Sequence, residues 1–218
     1  MTFSLLGRCA RTGQFGAAVT TSSIAVGTRV PFLAAGVGGV LTQHRTDPRL
    51  GPRGIALLRS GCSAREACDA LVASTPHHRW RQLAVMDRGG ATAHFDGANV
   101  KPARSVAHGS GVVALGNILA NEGVAPAMAA AFLAAPDAPL AERLMRALEA
   151  GEAAGGEHGE VTSACLLVVD RESFAYVDLR VDFDPAPLPA LRALWERYAP
   201  LAEGFVQRAV DPDDAPII

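Results

Sequence analysis

The chain has 218 residues, which suits one large domain or two small ones, and 49% of them are hydrophobic, enough to bury a full core. The formal net charge of −2 and the scattered arginines argue against a nucleic-acid partner or an anionic membrane surface. No apolar run reaches the roughly 18–20 residues that span a bilayer, and residues 1–10 lack the pattern of a signal peptide. The 4 cysteines show no metal-ligand spacing, so we expect free thiols in the cytoplasm.

The beginning of the chain is typical of a β-hairpin, with strands at 2–8 and 14–21 joined by a turn at 11–13. A strand that begins at Thr2 has a chemical use. Once Met1 is removed, the Thr2 hydroxyl can attack a carbonyl carbon with its own α-amine as the base. The ordinary pKa of such an amine, about 7.7–8.0, suits that role near neutral pH. The alternative is that Thr2 only begins a buried strand.

The middle of the chain alternates short strands with paired helices. Residues 34–43 predict one buried strand, in which Gly38 and Gly39 indicate a bulge or the close approach of another backbone or a ligand. Ser63 and Glu66 have the spacing of a capping box and mark the start of a helix. The other elements predicted up to residue 151 are a loop at 44–54, helices at 51–60 and 63–74, strands at 82–86, 91–95 and 112–116, and helices at 124–133 and 139–149, the last one capped by Gly151.

The last part of the chain predicts strands at 163–169 and 174–181 and a helix at 188–198. Residues 1–218 are predicted to form a single domain, with 203–218 as a C-terminal tail. Hairpins imply antiparallel sheets, and helices that arrive in pairs imply covered outer faces. The predicted fold class is therefore α+β, a four-layer α-β-β-α sandwich of two stacked antiparallel sheets.

Several segments in order resemble the domain-of-unknown-function family 1028, among them TFSLLGR, TGQFGAAV, AAGVGGVLTQ, DPRLGPRGIALL, ALGNIL, SACLLVV and VDLRVDFDPAPL. The resemblance covers roughly positions 2–200 and implies a fold like that of the N-terminal-nucleophile (Ntn) hydrolases, which cleave amide bonds. It implies that Thr2 is the nucleophile and its α-amine the base. Oxyanion donors in such enzymes are backbone N–H groups and an Asn or similar side chain, for which Gly38, Gly39 and Asn117 are the candidates.

The sequence departs from the expected pattern in two places. Many members of the superfamily carry Lys or Arg on or just after the second strand, whereas the first charge after residues 20–23 is Arg29 here. The loop GGEHGEVTSA places Glu157, His158 and Thr162 where the resemblance implies Asp, Arg and Gln.

Two loops and one strand end contain further candidate site residues. In the first loop His44 is a candidate acid–base group, and Arg45 or Arg49 a clamp for a carboxylate. The alternative is a polar loop that only leads into the next helix.

Asn117 could instead satisfy its own loop. Glu157 and His158 could be an acid–base pair on a lid or a solvated turn. The 6 histidines show no ligand spacing, so no metal is predicted, and the N-terminal-nucleophile chemistry requires no cofactor.

Together these features predict an amidohydrolase of the N-terminal-nucleophile type, acting on a small amide or acyl-amino compound. The expected partners are a small-molecule substrate and a second copy of the chain in a homodimer. The alternative is a catalytically inactive protein of the same fold with a ligand-binding or assembly role. A third possibility is chemistry at His44 or His158 with Met1 in place.

Overall fold

The computed structural model describes residues 1–217; Ile218, the last residue of the predicted tail, lies outside them. The strands are β1 (Thr2–Arg8), β2 (Phe15–Thr21), β3 (Pro31–Ala34), β4 (Gly38–Gln43), β5 (Gln82–Met86), β6 (Thr92–Asp96), β7 (Arg104–Gly109), β8 (Val112–Asn117), β9 (Ser163–Val169) and β10 (Ala175–Val181). The helices are α1 (Leu50–Arg59), α2 (Ala64–Ala73), α3 (Val124–Leu133), α4 (Leu140–Ala153), α5 (Pro187–Tyr198) and α6 (Ala202–Val210). None of these helices is long and apolar enough to cross a membrane.

The strands form two antiparallel sheets, a 6-stranded one in the order β10-β9-β2-β1-β8-β7 and a 4-stranded one in the order β3-β4-β5-β6. The alternation of β1 shows how the layers form. Phe3 and Leu5 lie in the core beneath α3 and α4, while Leu6 lies in the core between the sheets. The predicted four-layer α-β-β-α sandwich is confirmed.

The outer helices cover the face of each sheet that points away from the other sheet. Leu144 and Leu148 of α4 and Leu191 of α5 pack on the larger sheet. Leu58 of α1 and Leu71 of α2 pack on the smaller sheet. The outer faces of both sheets are therefore closed by apolar side chains.

Several predicted elements are confirmed. The hairpin of β1 and β2 pairs from Phe3 with Thr20 to Arg8 with Phe15. The Ser63 side chain accepts a hydrogen bond from the Glu66 N–H, and the Glu66 carboxylate accepts one in return from the Ser63 N–H, so the capping box is complete.

Other elements differ from the prediction. The single strand expected at 34–43 is wrong: β3 and β4 form a hairpin there, turning at Gly36, whose φ is +66°. Gly151 does not cap α4. It lies inside the helix, packed against Met128 and Phe3, and the chain leaves the helix at Gly155 with a φ of +119°.

Two elements were missed. Strand β7 is an edge strand with the sequence RSVAHG, whose half-exposed pattern lacks an apolar run. Helix α6 occupies residues 202–210, so it takes up the first part of the segment 203–218 that was predicted as a tail.

Candidate functional site

A cavity of about 450 Å³ opens at one end of the sandwich, where β1 begins and where β2 and β4 end. The residues on its wall that matter for chemistry are Thr2, Thr21, Arg29, His44, Arg45 and Thr46. Because β1 is antiparallel to β2, its first residue lies beside the last residue of β2. The topology therefore brings the start of the chain to a pocket rimmed by hydroxyls and cations.

Thr2 is 7% exposed, and its hydroxyl oxygen lies 3.2 Å from that of Thr21. Both hydroxyls also donate to the carbonyl oxygen of Met1. With Met1 in place the α-nitrogen of Thr2 is an amide. The Thr2 hydroxyl can therefore use its own amine as a base only after Met1 is removed.

Beneath Thr2 a chain of buried amides links the two sheets. Ser4 donates from its hydroxyl to Gln43 Oε1 at 2.6 Å, and Gln43 Nε2 donates to Gln82 Oε1 at 2.7 Å. Asn117 Nδ2 donates to the same Gln82 oxygen at 2.9 Å, and Gln82 Nε2 donates to the Gly116 carbonyl at 2.9 Å. That carbonyl can only accept, so it fixes the direction of every hydrogen bond in the chain of amides.

Several acceptors near the start of β1 are buried and have no partner. Asn117 Oδ1, both carboxyl oxygens of Glu157 and Thr162 Oγ1 make no hydrogen bond. Burial raises the pKa of Glu157 to about 8, against the positive charge of the α-amino group of Met1 and the smaller effects of the Ser22 N–H and hydroxyl, which lower it. Buried polar atoms without a hydrogen-bond partner are rare in folded proteins and mark either strain or a missing donor.

His44 is held on both sides of its ring. Its Nδ1 lies 2.9 Å from the Trp80 carbonyl oxygen, so it carries the proton, and Nε2 accepts a 3.4 Å hydrogen bond from the Lys101 N–H. Burial lowers the pKa of His44 against the effect of the Trp80 carbonyl, and the charges of the α-amino group of Met1, Arg45 and Lys101 lower it further. The ring is neutral at pH 7 and leaves no nitrogen without a partner.

Four non-glycine residues adopt a left-handed backbone in the described chain, three of them in loops that line the cavity and the fourth directly after Asn117. Ala25 lies in the loop after β2, His44 and Arg45 directly follow β4, and Ile118 directly follows β8. For β-branched Ile118 this conformation is a genuine outlier. Such a conformation costs about 1–3 kcal/mol, and residues strained in this way cluster at functional sites.

The two arginines predicted to clamp a carboxylate, Arg45 and Arg49, lie in different surroundings. The Arg45 side chain lines the cavity, and its guanidinium carbon lies 4.8 Å from the centre of the Trp80 ring. Arg49 does not reach the cavity wall; it pairs with Asp47 through two 2.8 Å hydrogen bonds. Hydrogen bonds from Arg49 hold the pKa of Asp47 below its usual value.

The other predicted binding residues lie elsewhere. Gly38 and Gly39 are at the opposite end of β4 from His44, and neither lines the cavity. A Cβ on Gly38 would meet the Met86 carbonyl oxygen at 2.1 Å. His158 is exposed on the loop after α4, where its backbone N–H donates to the Ile118 carbonyl.

Sequence reasoning missed the contribution of Thr21, Gln43 and Gln82 to this region. The signal was present, since each is a polar residue at the end of a largely apolar strand. From the sequence, Glu157 was considered as a substitute for an expected Asp and as part of a lid or a solvated turn, not as a buried group. Its burial follows from a bridge between its backbone and Leu119, which sequence patterns do not reveal.

A crystal structure of a DUF1028 protein from Silicibacter pomeroyi is similar, with 30% identity, a TM-score of 0.84 and coverage of 91% of this chain and 89% of that chain.

Two Anbu (ancestral β-subunit) structures also match. The one from Yersinia bercovieri has 13% identity, a TM-score of 0.43 and coverage of 94% and 97% of the two chains. The Gly-1 mutant from Hyphomicrobium sp. strain MC1 has 11% identity, a TM-score of 0.45 and coverage of 95% and 100%. At these TM-scores neither supports a conclusion about this chain.

No protein with a curated description matches the chain. The model of a family of unknown function, DUF1028, matches residues 2–191. Together with the similarity to the Silicibacter pomeroyi protein, this match shows that the chain belongs to the DUF1028 family.

Proposed function

We propose that the protein is an amidohydrolase of the N-terminal-nucleophile type, with Thr2 as its nucleophile, acting on a small amide or acyl-amino compound. The observation that carries the proposal is a pair of buried side chains whose acceptor atoms have no hydrogen-bond partner: Asn117, which is opposite Thr2 across β1 and β8, and Glu157, which interacts electrostatically with the α-amino group at the start of the chain. We assign the N–H donors of a free Thr2 amine to these acceptors. The nitrogen of this amine keeps its lone pair and can accept the proton of the Thr2 hydroxyl.

The proposed reaction proceeds through an ester. The Thr2 amine takes the hydroxyl proton while Oγ1 bonds to the substrate carbonyl carbon, which creates an oxyanion. The amine then passes the proton to the leaving nitrogen as the C–N bond breaks. Water, deprotonated by the same amine, attacks the ester carbon, and the C–O bond breaks to release the acid and restore the hydroxyl.

The Asn117 amide is the proposed donor to that oxyanion. Its Nδ2 carries two protons, of which Gln82 Oε1 takes one at 2.9 Å. The other is the one that we assign to the oxyanion. Removal of one oxyanion donor costs about 10²–10³-fold in kcat in a serine protease, which sets the expected scale.

The first experiment is the intact mass of protein produced in a host with ample methionine aminopeptidase. The mass is expected to be short by one methionine. The protein is then incubated with p-nitrophenyl acetate and digested, and the acetylated residue is mapped by mass spectrometry. Acetyl transfer is expected on Thr2, and release of amines from a panel of small amides is expected to fall by about 10³-fold or more in Thr2→Ala.

Thr2→Ser is the matched control, because it keeps the hydroxyl, and both Ser and Ala are small enough for methionine removal. The proposal fails if Met1 remains on the mature protein. It also fails if turnover in Thr2→Ala equals that of the wild type.

One observation favours the second candidate function, a protein of this fold that binds a ligand or assembles without hydrolysis. With Met1 present, its carbonyl oxygen accepts hydrogen bonds from the hydroxyls of Thr2 and Thr21. Its side chain reaches within 3.4 Å of the position that a Cβ on Gly159 would occupy. A fully retained Met1 in the mass measurement decides for this candidate.

We also propose that the protein acts in the cytoplasm as a homodimer. Cys9, Cys62, Cys68 and Cys165 are all unpaired, which suits a reducing compartment. Large apolar side chains are exposed in the last part of the chain, with Phe183 exposed at 72%. Light scattering after size exclusion tests the dimer, with Phe183→Ser as the variant expected to weaken it.

A further inference from the structure

The wall of the cavity beside Thr2 has an unbalanced charge. Arg29 and Arg45 both line it, whereas none of the described residues on this wall is an Asp or Glu. The carboxylate that lies nearest along the chain, Asp47, is already used by Arg49 at 2.8 Å and by Arg81 at 3.7 Å. The cavity therefore carries positive charge that nothing on its own wall neutralises.

Arg29 is half-buried and is held by neutral groups. Its Nη1 donates to the carbonyl oxygens of Ile24 at 2.6 Å and Ala25 at 2.8 Å. These bonds orient the guanidinium and leave its charge in place, and Arg29 makes no ion pair in the part of the chain that the structure describes. Burial lowers the pKa of Arg29, which shows the cost of removing this charge from water. Its Nε and Nη2 make no hydrogen bond to the described residues and are free to donate to a ligand.

Arg45 is held by different contacts. It adopts a left-handed backbone with a φ of +48°, and its guanidinium lies over the Trp80 ring. Its backbone carbonyl accepts a hydrogen bond from Arg81. Among residues 1–217 no carboxylate pairs with its side chain. A guanidinium fixed by an aromatic face keeps its planar fork of donors available for a planar anion.

We propose that Arg29 and Arg45 bind a carboxylate of the substrate, so that the amide cleaved at Thr2 belongs to an N-acyl amino acid or to the monoamide of a small dicarboxylic acid. This inference rests on the proposed function, because it names the substrate class of the same site. Guanidinium groups pair with carboxylates through two parallel hydrogen bonds, which gives both energy and orientation. A cavity of about 450 Å³ has the size of a small-molecule site.

Binding is tested on the Thr2→Ala protein, which cannot turn over. Isothermal titration uses N-acetylglycine and succinamate as anionic probes, N-acetylglycinamide and succinamide as their neutral partners, and inorganic phosphate as a second anion. The anionic probes are expected to bind at least tenfold more tightly than their neutral partners. Arg29→Gln and Arg45→Gln are each expected to weaken anion binding about tenfold or more.

Arg65→Gln is the matched control. It removes the same charge from the exposed surface of α2 and is expected to leave binding unchanged. Because Arg29 also holds the 24–25 loop, Arg29→Lys and a melting curve accompany it; Lys keeps the charge and loses the fork. Arg45 is exposed, so its variant is expected to fold.

The inference is overturned if neutral probes bind as tightly as anions, if both Gln variants keep the anion affinity, or if phosphate binds more tightly than the carboxylates. Turnover at Thr2 of neutral and anionic amides at equal rates overturns the inference and leaves the proposed function standing. Selective anion binding lost in both Gln variants, with no turnover of any amide by the wild type, supports the anion site and removes the proposed function.

Discussion

Thr2 and Asn117 are opposite each other across β1 and β8, as partners in the antiparallel register of the larger sheet. Both are buried, and Asn117 is fully removed from solvent. This pairing places an amide beside the hydroxyl that we propose as nucleophile. It also ties that amide, through Gln82, to the smaller sheet, so the separation of the two sheets sets its position.

The first prediction concerns Gln82, which joins three partners. Gln82→Met keeps the length of the side chain but leaves Asn117 Nδ2, Gln43 Nε2 and the Gly116 carbonyl without that partner. Each such group costs about 1–3 kcal/mol when buried and unpaired, so we expect a loss of about 3 kcal/mol or more in the free energy of unfolding. Urea denaturation measures it. The matched change Gln14→Met, at a half-exposed site, is expected to cost less than about 0.5 kcal/mol.

The second prediction concerns the pH dependence of stability through Glu157. With Met1 in place, its pKa in the folded protein is raised from 4.5 to about 8, so between these values the folded state holds a proton that the unfolded state has released. Stability from this group is therefore full below pH 4.5 and falls as the pH rises toward 8, with a slope of up to about 1.4 kcal/mol per pH unit.

Glu157→Gln removes this titration. Denaturation at pH 5 and pH 8 should show that the wild type loses more stability than the variant between the two values. Glu160→Gln changes an exposed carboxyl on the same loop and should follow the wild type. Equal slopes for the wild type and Glu157→Gln would contradict a raised pKa at this position.

Gly38 is the subject of the third prediction. Its φ is +140°, and an added Cβ would lie 2.1 Å from the Met86 carbonyl oxygen on the neighbouring strand. Gly38→Ala is expected to cost about 2–4 kcal/mol in the free energy of unfolding, because strain and overlap with backbone add. Gly36→Ala is the control. It also has a positive φ but open space around it, so it is expected to lose only about 1 kcal/mol.

The Gly38→Ala variant also distinguishes a packing role of Gly38 from a role in catalysis. If Gly38 serves packing alone, a folded fraction of Gly38→Ala recovered at low temperature keeps the specific activity of the wild type. A drop in specific activity with the fold intact would restore the oxyanion role predicted for Gly38 from the sequence.

The fold was predictable because the periodicity of apolar residues is strong in most of its elements. The capping box at Ser63 predicted the start of α2, and an apolar run predicted β9, because both signals lie within a few neighbouring residues. The hairpin of β3 and β4 was missed because Pro31 was taken as a break, although proline is tolerated at the first residue of a strand.

The site was only partly predictable, since it depends on which chain ends the topology brings together. Thr2, Asn117 and His44 were named from the sequence, and the structure places Thr2 and His44 on one cavity wall with Asn117 beside Thr2. Arg29 was noted only as the first charge after β2. Its lack of a carboxylate partner, and the pairing of Arg49 with Asp47, depend on side-chain packing that no pattern in the sequence records.

The last prediction concerns the contact between α4 and α5. Arg192 donates to both oxygens of Glu149 and to Glu142 Oε2, at 2.7–2.8 Å, and Trp195 Nε1 donates to the same Glu142 oxygen at 2.8 Å. Arg192→Met breaks this partly buried network, and we expect a loss of about 1–3 kcal/mol at pH 7. Burial alone would raise the pKa of Glu142, but the hydrogen bonds from Arg192, Arg146 and Trp195 outweigh it and lower the pKa.

The stability that Glu142 contributes is therefore present above its usual pKa of 4.5 and is lost as the pH falls through the lowered value. The difference between the wild type and Arg192→Met should shrink when denaturation is measured at pH 3. Arg146→Met is the control, because Arg146 pairs with the same carboxylate from an exposed i,i+4 position worth only about 0.3–0.5 kcal/mol. An equal loss in both variants would mean that the network adds nothing beyond a surface ion pair, and that α5 is held on the sheet by Leu188, Leu191 and Trp195 alone.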